Sequence, residues 1–161
     1  MSQMTDPMNG LISLQHEIKK NGFQMNPCEL HVDLQVVLDR PNGETRITYA
    51  MVDFGRVRAF VTYVSADPVH GVPCFGVGYA VPEKFRRQGL AAKIINKSID
   101  EMKNGLARNG IQKFYIEAVV GESNIASRKV AEKVLSATPD RTGIDEFSGE
   151  PAITYLRLIE A

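Results

Sequence analysis

The stretch YAVPEKFRRQGLAAKII, residues 79–95, passes from strand chemistry to helix chemistry across a turn that carries two adjacent arginines. Before it, Cys74, Phe75, Val77, Tyr79 and Val81 make a short apolar run of β-favouring residues. Pro82 closes the run, because proline brings no N–H to a strand ladder. After it, Ala91, Ile94, Ile95, Ser98, Ile99 and Met102 recur at helical spacing, which predicts a helix from near Arg87 with one apolar stripe for packing against a sheet. A helix N-terminus leaves several N–H groups without intrahelical partners and carries a partial positive charge, so a phosphate fits there. Gly89 has no Cβ to hold a bulky anion away from the backbone, Ala91 keeps the following position small, and Arg86 and Arg87 add charge. Taken alone, these residues read either as an anion cradle or as an ordinary helix start with two solvated arginines.

Further along, Asn109-Gly110 is a helix stop, and Phe114, Tyr115, Ile116, Ala118, Val119 and Val120 predict the next strand, parallel to the first. Gly121 to Ser127 then leads into a second helix carrying Val130, Ala131, Val134 and Leu135. Ser123 and Asn124 are both of the residue type that caps a helix start. Within this strand-helix-strand-helix order, Arg86-x-x-Gly89-x-Ala91 resembles the acyl-CoA pyrophosphate loop of the GNAT superfamily of N-acetyltransferases. Asn124-Ile125-Ala126-Ser127, followed by Val130 and Glu132-Lys133, is similar to the N-x-A-S-x-x-V-x-E-K signature of its ribosomal-protein-type branch.

The resemblance covers about residues 45 to 135. It implies an α/β (α+β) fold with a mixed, mostly antiparallel central sheet flanked by helices and a β-α-β-α acyl-CoA-binding core. It implies further that Tyr79, Val81, Arg86, Arg87, Gln88, Gly89, Leu90 and Ala91 hold acetyl-CoA, with Asn124 reaching its pantetheine or pyrophosphate side. The activity implied is acyl-CoA-dependent N-acyltransfer, acetyl moving to a primary amine by direct attack in a ternary complex.

Such chemistry must hold a thioester carbonyl near an amine, stabilise the developing oxyanion and move two protons. Backbone donors from Tyr79 to Val81 are placed to polarise the carbonyl, since in the resembled family the pantetheine arm pairs with this strand. Presenting a lysine-like amine in its neutral form at pH 7 costs roughly 4–5 kcal/mol, so a general base helps. Glu117 is a candidate because it lies in an otherwise apolar strand, and it also reads as a carboxylate that faces solvent or pairs with a neighbouring basic residue. The family's proton donor is a tyrosine seven residues after the Asn, a position held here by Ala131. Ser127, Tyr79 or ordered water must then return the proton to the thiolate. His70 lies in a Pro/Gly-flanked loop as a further candidate base, while His16 and His31 adjoin neither motif. The missing tyrosine also suits a different reading, a non-catalytic acyl-CoA-binding or regulatory module.

The 161 residues predict one domain, 1–161, with enough apolar residues for a single core. Nineteen basic residues balance nineteen acidic ones, which argues against general attraction to nucleic acid. The local basic group Lys84, Arg86, Arg87 and Lys93 is therefore assigned to cofactor phosphates. No run reaches membrane-spanning length and the first residues lack a secretory core, so a cytoplasmic protein is expected. Cys28 and Cys74 lack metal-ligand spacing and are expected to be buried free thiols; no metal is expected.

Outside the motifs, periodicity predicts a helix over 9–20 stopping at Asn21-Gly22, strands at 30–36 and 47–52 joined through Pro41-Asn42-Gly43, and a turn at Phe54-Gly55-Arg56. A strand over 57–64, a loop from Asp67 to Pro73 and the Cys74 to Val81 strand complete a four-strand meander. Ala137 to Glu150 reads as a loop with room for one short strand, ahead of a last strand at 153–159. Two features depart from the family pattern. The one or two helices that wall its acceptor site between the first strands are replaced by Pro41-Asn42-Gly43, and the second helix ends in Val134-Leu135-Ser136-Ala137 rather than Gly-Phe. Either the walls come from the N-terminal helix, from the 137–150 loop or from the second subunit of a homodimer, or the acceptor site is broad and open. The acceptor is open between a small-molecule amine and a protein N-terminus.

Overall fold

In the computed structural model, which describes residues 6–20, 23–145 and 148–161, the chain forms two compact units. One comprises Asp6–Tyr63 and Gly78–Met102, the other Val64–Val77 and Lys103–Ala161.

The first unit opens with helix α1 (Pro7–Ile18), where Asp6 accepts the Met8 N–H at 3.0 Å and Pro7 supplies a preset φ. Its buried face, Leu11 and Leu14, packs with Ala50, Val57 and Phe60. Gly10 permits the approach, since a Cβ there would stand 2.9 Å from the Phe60 ring. The strands β1 (Asn26–Pro27), β2 (Gln35–Asp39), β3 (Arg46–Asp53) and β4 (Arg56–Val69) lie side by side in that order. Arg46 and Asp39 face each other across the antiparallel β2/β3 register, in a two-bonded pair at 2.9 and 2.6 Å. Helix α2 (Leu90–Arg108) buries Leu90, Ala92, Ile94, Ile95, Ile99 and Met102. Ser98 is buried in the same stripe because its hydroxyl meets the buried Tyr63 hydroxyl at 2.6 Å and donates to the Ile95 carbonyl.

In the second unit the order is β4, β5 (Val72–Ala80), β6 (Lys113–Gly121), β8 (Pro151–Glu160), β7 (Arg141–Ile144). β5 and β6 run parallel, aligning Cys74, Phe75 and Gly76 with Tyr115, Ile116 and Glu117, while β6/β8 and β7/β8 are antiparallel. Helix α3 (Ile125–Val134) follows β6, and the buried Tyr155 of β8 donates to Glu132 of α3 at 2.7 Å. The fold is thus mixed α/β and mostly antiparallel, with helices flanking the strands, as the sequence predicts. Strands β4 and β5 and helix α2 each contribute residues to both units.

Three local expectations shift. Helix α2 starts at Leu90 rather than near Arg87, because Arg87 and Gly89 both take left-handed backbone that no α-helix accommodates. The strand expected at 30–36 starts only at Gln35, and Leu30 and Val32 are exposed. There the buried Glu101 carboxylate of α2 takes the Leu30 and His31 N–H groups at 2.9 and 2.6 Å, leaving them unavailable to a strand ladder. The expected 67–73 loop shrinks to His70-Gly71, a pair with φ of 52° and 76° that closes a two-residue hairpin. The short strand foreseen in 137–150 is β7. The helix stop at Asn21-Gly22 lies outside the described residues.

Both cysteines are buried free thiols. Burial, reinforced by Glu101, pushes the Cys28 thiol up to about 12; burial, reinforced by Glu117, pushes Cys74 up to about 11. Only the thiolate attacks a disulfide reagent. At pH 8 the native protein should therefore release less than one equivalent of chromophore from Ellman's reagent within minutes, and two equivalents in denaturant. Two fast equivalents in the native state would contradict this burial.

Candidate functional site

Between β5 and α2 the chain runs through Pro82, one 3-10 turn at Glu83–Phe85, and then Arg86 to Gly89. Arg86 is extended, and its Nε donates to the Val81 carbonyl at 2.8 Å, which ties the loop back to the strand end. Arg87 has φ +65° and Gly89 φ +71°, whereas Gln88 between them stays at negative φ. Alternation of hand along successive residues is the backbone pattern from which anion nests are built. Arg87, Gln88 and Gly89 are exposed, and a Cβ on Gly89 would meet nothing within 4 Å, so the space over the nest is open. Leu90 is buried and Ala91 half-buried, anchoring the first turn of α2; the Lys93 N–H closes onto the Gly89 carbonyl at 3.1 Å. Tyr79 and Val81 are half-buried at the strand's end.

The other sequence-predicted residues belong to the second unit. Glu117 is buried on β6 and ion-paired with Arg141 at 3.2 Å. Asn124 caps α3, its Oδ1 accepting the Ser127 N–H at 3.2 Å. Its side-chain NH2 has no partner among the described residues, so the capping and ligand readings of this asparagine are compatible. Ala131 is fully buried and leaves no surface position for the family's tyrosine. His70 and His16 are exposed, and His31 meets Asp100 at 3.0 Å. Among the described residues no cluster of three His, Cys, Asp or Glu side chains could hold a metal ion, and no helix is long and apolar enough to cross a membrane.

Sequence reading missed Glu101 and the fastening of loop 28–34 to α2. Lys97 meets Asp33 at 2.5 Å in the same fastening, and this bond holds the Asp33 carboxyl below its ordinary range. The Arg46–Asp39 pair was missed as well. Nothing in either local pattern marks these pairs, since the Glu101 and Lys97 contacts join residues far apart in the chain.

A family model of the GNAT acetyltransferases matches residues 12–136. The chain belongs to the GNAT acetyltransferase family. No curated protein matches it in sequence. Among solved structures it is similar to a ribosomal-protein-S5-alanine acetyltransferase from Vibrio fischeri, at 16% identity and TM-score 0.53, covering 72% of this chain and 62% of that one. A ribosomal-protein-alanine N-acetyltransferase from Brucella melitensis follows at 13% identity and TM-score 0.54, with 71% and 69% covered. A spermidine N-acetyltransferase variant from Vibrio cholerae stands at 13% and 0.53, with 70% and 65% covered. This GNAT chain thus spans less than two thirds of the length of the Vibrio structures, and at these identities the likeness is one of fold.

Proposed function

We propose that residues 1–161 work as one acyl-CoA-dependent N-acyltransferase domain, moving acetyl from acetyl-CoA to a primary amine by direct attack in a ternary complex. The carrying observation is the alternating backbone at Arg87 and Gly89, which presents a nest of N–H donors under open space immediately before a 19-residue helix. A pyrophosphate has the charge and shape for that nest, and Arg87 and Gln88 stand exposed beside it. Family membership supports the donor; the acceptors of the similar acetyltransferases, a ribosomal-protein alanine and spermidine, support an amine on a protein N-terminus or a small molecule. Release of free CoA thiol against a panel of polyamines, amino acids and peptides tests the reading. Turnover with at least one amine is expected.

A second reading, an acyl-CoA-binding module without turnover, is favoured by two observations. Ala131 replaces the acid of the family with a fully buried methyl, and Glu117 is committed to Arg141. In the acyltransferase reading Glu117 serves as base, and Tyr79 or Ser127 returns the proton. Glu117→Gln should then lower kcat by roughly 100-fold while changing KM for acetyl-CoA little. Arg141→Gln, which removes the ion pair but keeps the carboxylate, should retain most activity. Equal losses in both variants would mean that the pair is structural.

A further inference from the structure

Where α1 meets the start of β4, Gln15 spans the two: its Nε2 donates to the Gly55 carbonyl and its Oε1 accepts the Val57 N–H, both at 2.8 Å. These bonds hold one side of a groove of about 300 Å3, all of whose lining belongs to the first unit. His16, Lys19, Arg56 and Lys84 are its ionisable side chains, and no carboxylate lines it. All four are exposed, and none makes an ion pair among the described residues. Glu17, the neighbour of His16, is already paired with Lys20 at 2.9 Å. Between the cations the lining is apolar, with Pro82, Phe85 and an Ile12 that keeps 48% of its area exposed.

In a chain whose basic and acidic residues balance, this groove is a local excess of positive charge. One exposed cation gains little from one surface partner, but several that act on a single ligand add, and their mutual repulsion falls when an anion sits among them. The apolar surface narrows the ligand further. A phosphodiester backbone has nothing to place against Ile12 and Pro82, whereas a peptide with carboxylates and aliphatic side chains uses both kinds of wall. A polyamine is repelled by the same cations. The groove adjoins Pro82 and Phe85, past the last residue of β5, so a peptide seated there touches it with a segment away from the reacting amine.

We propose that this groove docks an acidic segment of a protein acceptor, with its carboxylates on His16, Lys19, Arg56 and Lys84 and an aliphatic side chain against Ile12. It thereby selects acidic peptides over polyamines. The proposal rests on the acyltransferase reading and names the acceptor class within it. Two peptides of about ten residues with free N-termini test it, one rich in Glu and Leu and the other with every Glu replaced by Gln. Labelled at the C-terminus and followed by fluorescence anisotropy with the full chain, the Glu peptide should bind about ten-fold more tightly, the advantage shrinking as salt rises. In His16→Gln/Lys19→Gln, two exposed changes to a residue that helices accept, the advantage should drop below about three-fold while the affinity for acetyl-CoA stays that of the wild type. Ile12→Ser should weaken both peptides several-fold and leave their ratio unchanged. Equal wild-type affinities, an advantage that survives in the double variant, or tighter binding of a single-stranded RNA than of the Glu peptide would overturn the proposal. Release of CoA thiol with spermidine but not with the Glu peptide would also overturn it and leave the acyltransferase reading standing. Binding of the Glu peptide without turnover of any amine would overturn that reading and, with it, the segment's identity as part of an acceptor.

Discussion

On the proposed reading acetyl-CoA raises the melting temperature of the wild type, and Gly89→Glu is expected to remove that rise. At a hundred-fold excess over Kd, binding to the folded state adds about 2.7 kcal/mol, which for a chain of this size is a shift of roughly 5–10 °C. Two effects oppose the ligand in the variant. A side chain at φ +71° extends into the open space above the nest, where a pyrophosphate would sit, and its carboxylate repels that anion. Left-handed backbone also costs a side-chain-bearing residue about 1–2 kcal/mol, so the unliganded variant should melt several degrees lower. Gly89→Asn separates the two, since Asn tolerates the conformation and brings no charge; it should melt near wild type and keep part of the shift. An undiminished shift in Gly89→Glu would show that acetyl-CoA binds elsewhere.

Glu101→Ala should be the most destabilising single change outside the apolar core, by about 3 kcal/mol in urea unfolding. The Glu101 carboxylate is 8% exposed and accepts the N–H groups of Leu30 and His31, and alanine leaves both donors without their acceptor. Glu101→Gln keeps one carbonyl oxygen for those donors and should lose about half as much. The Cys28 thiol gives a local readout, since loosening this loop lets its reagent in while Cys74 stays closed. A loss below about 1 kcal/mol for Glu101→Ala would mean that water replaces the carboxylate at little cost.

How much of this was legible in the chain depends on the range of the interaction that decided it. The helices α1 and α2, the hairpin at Phe54-Gly55 and the parallel β5/β6 pair follow from periodicity and turn chemistry, which act over a few residues. The extent of β4 through Val69 did not, because Asp67-Pro68 reads as a loop until its partner strand holds it extended. Nor did the true start of β2, where a carboxylate some seventy residues away competes for the backbone. Glu117 shows the same limit at the site: its place on an apolar strand was readable, and its partner Arg141, on another strand, was not.

The sequence by itself determined the family of this protein and the residues proposed to hold the donor. Arg86-x-x-Gly89-x-Ala91 and Asn124 to Ser127 carry the family in their residue types and order, because a phosphate nest and a helix cap are built from consecutive residues. Tertiary structure decided the rest. It tied Glu117 to Arg141 and latched loop 28–34 through Glu101. Each of these depends on where distant side chains meet, and spacing along the chain does not encode such a meeting.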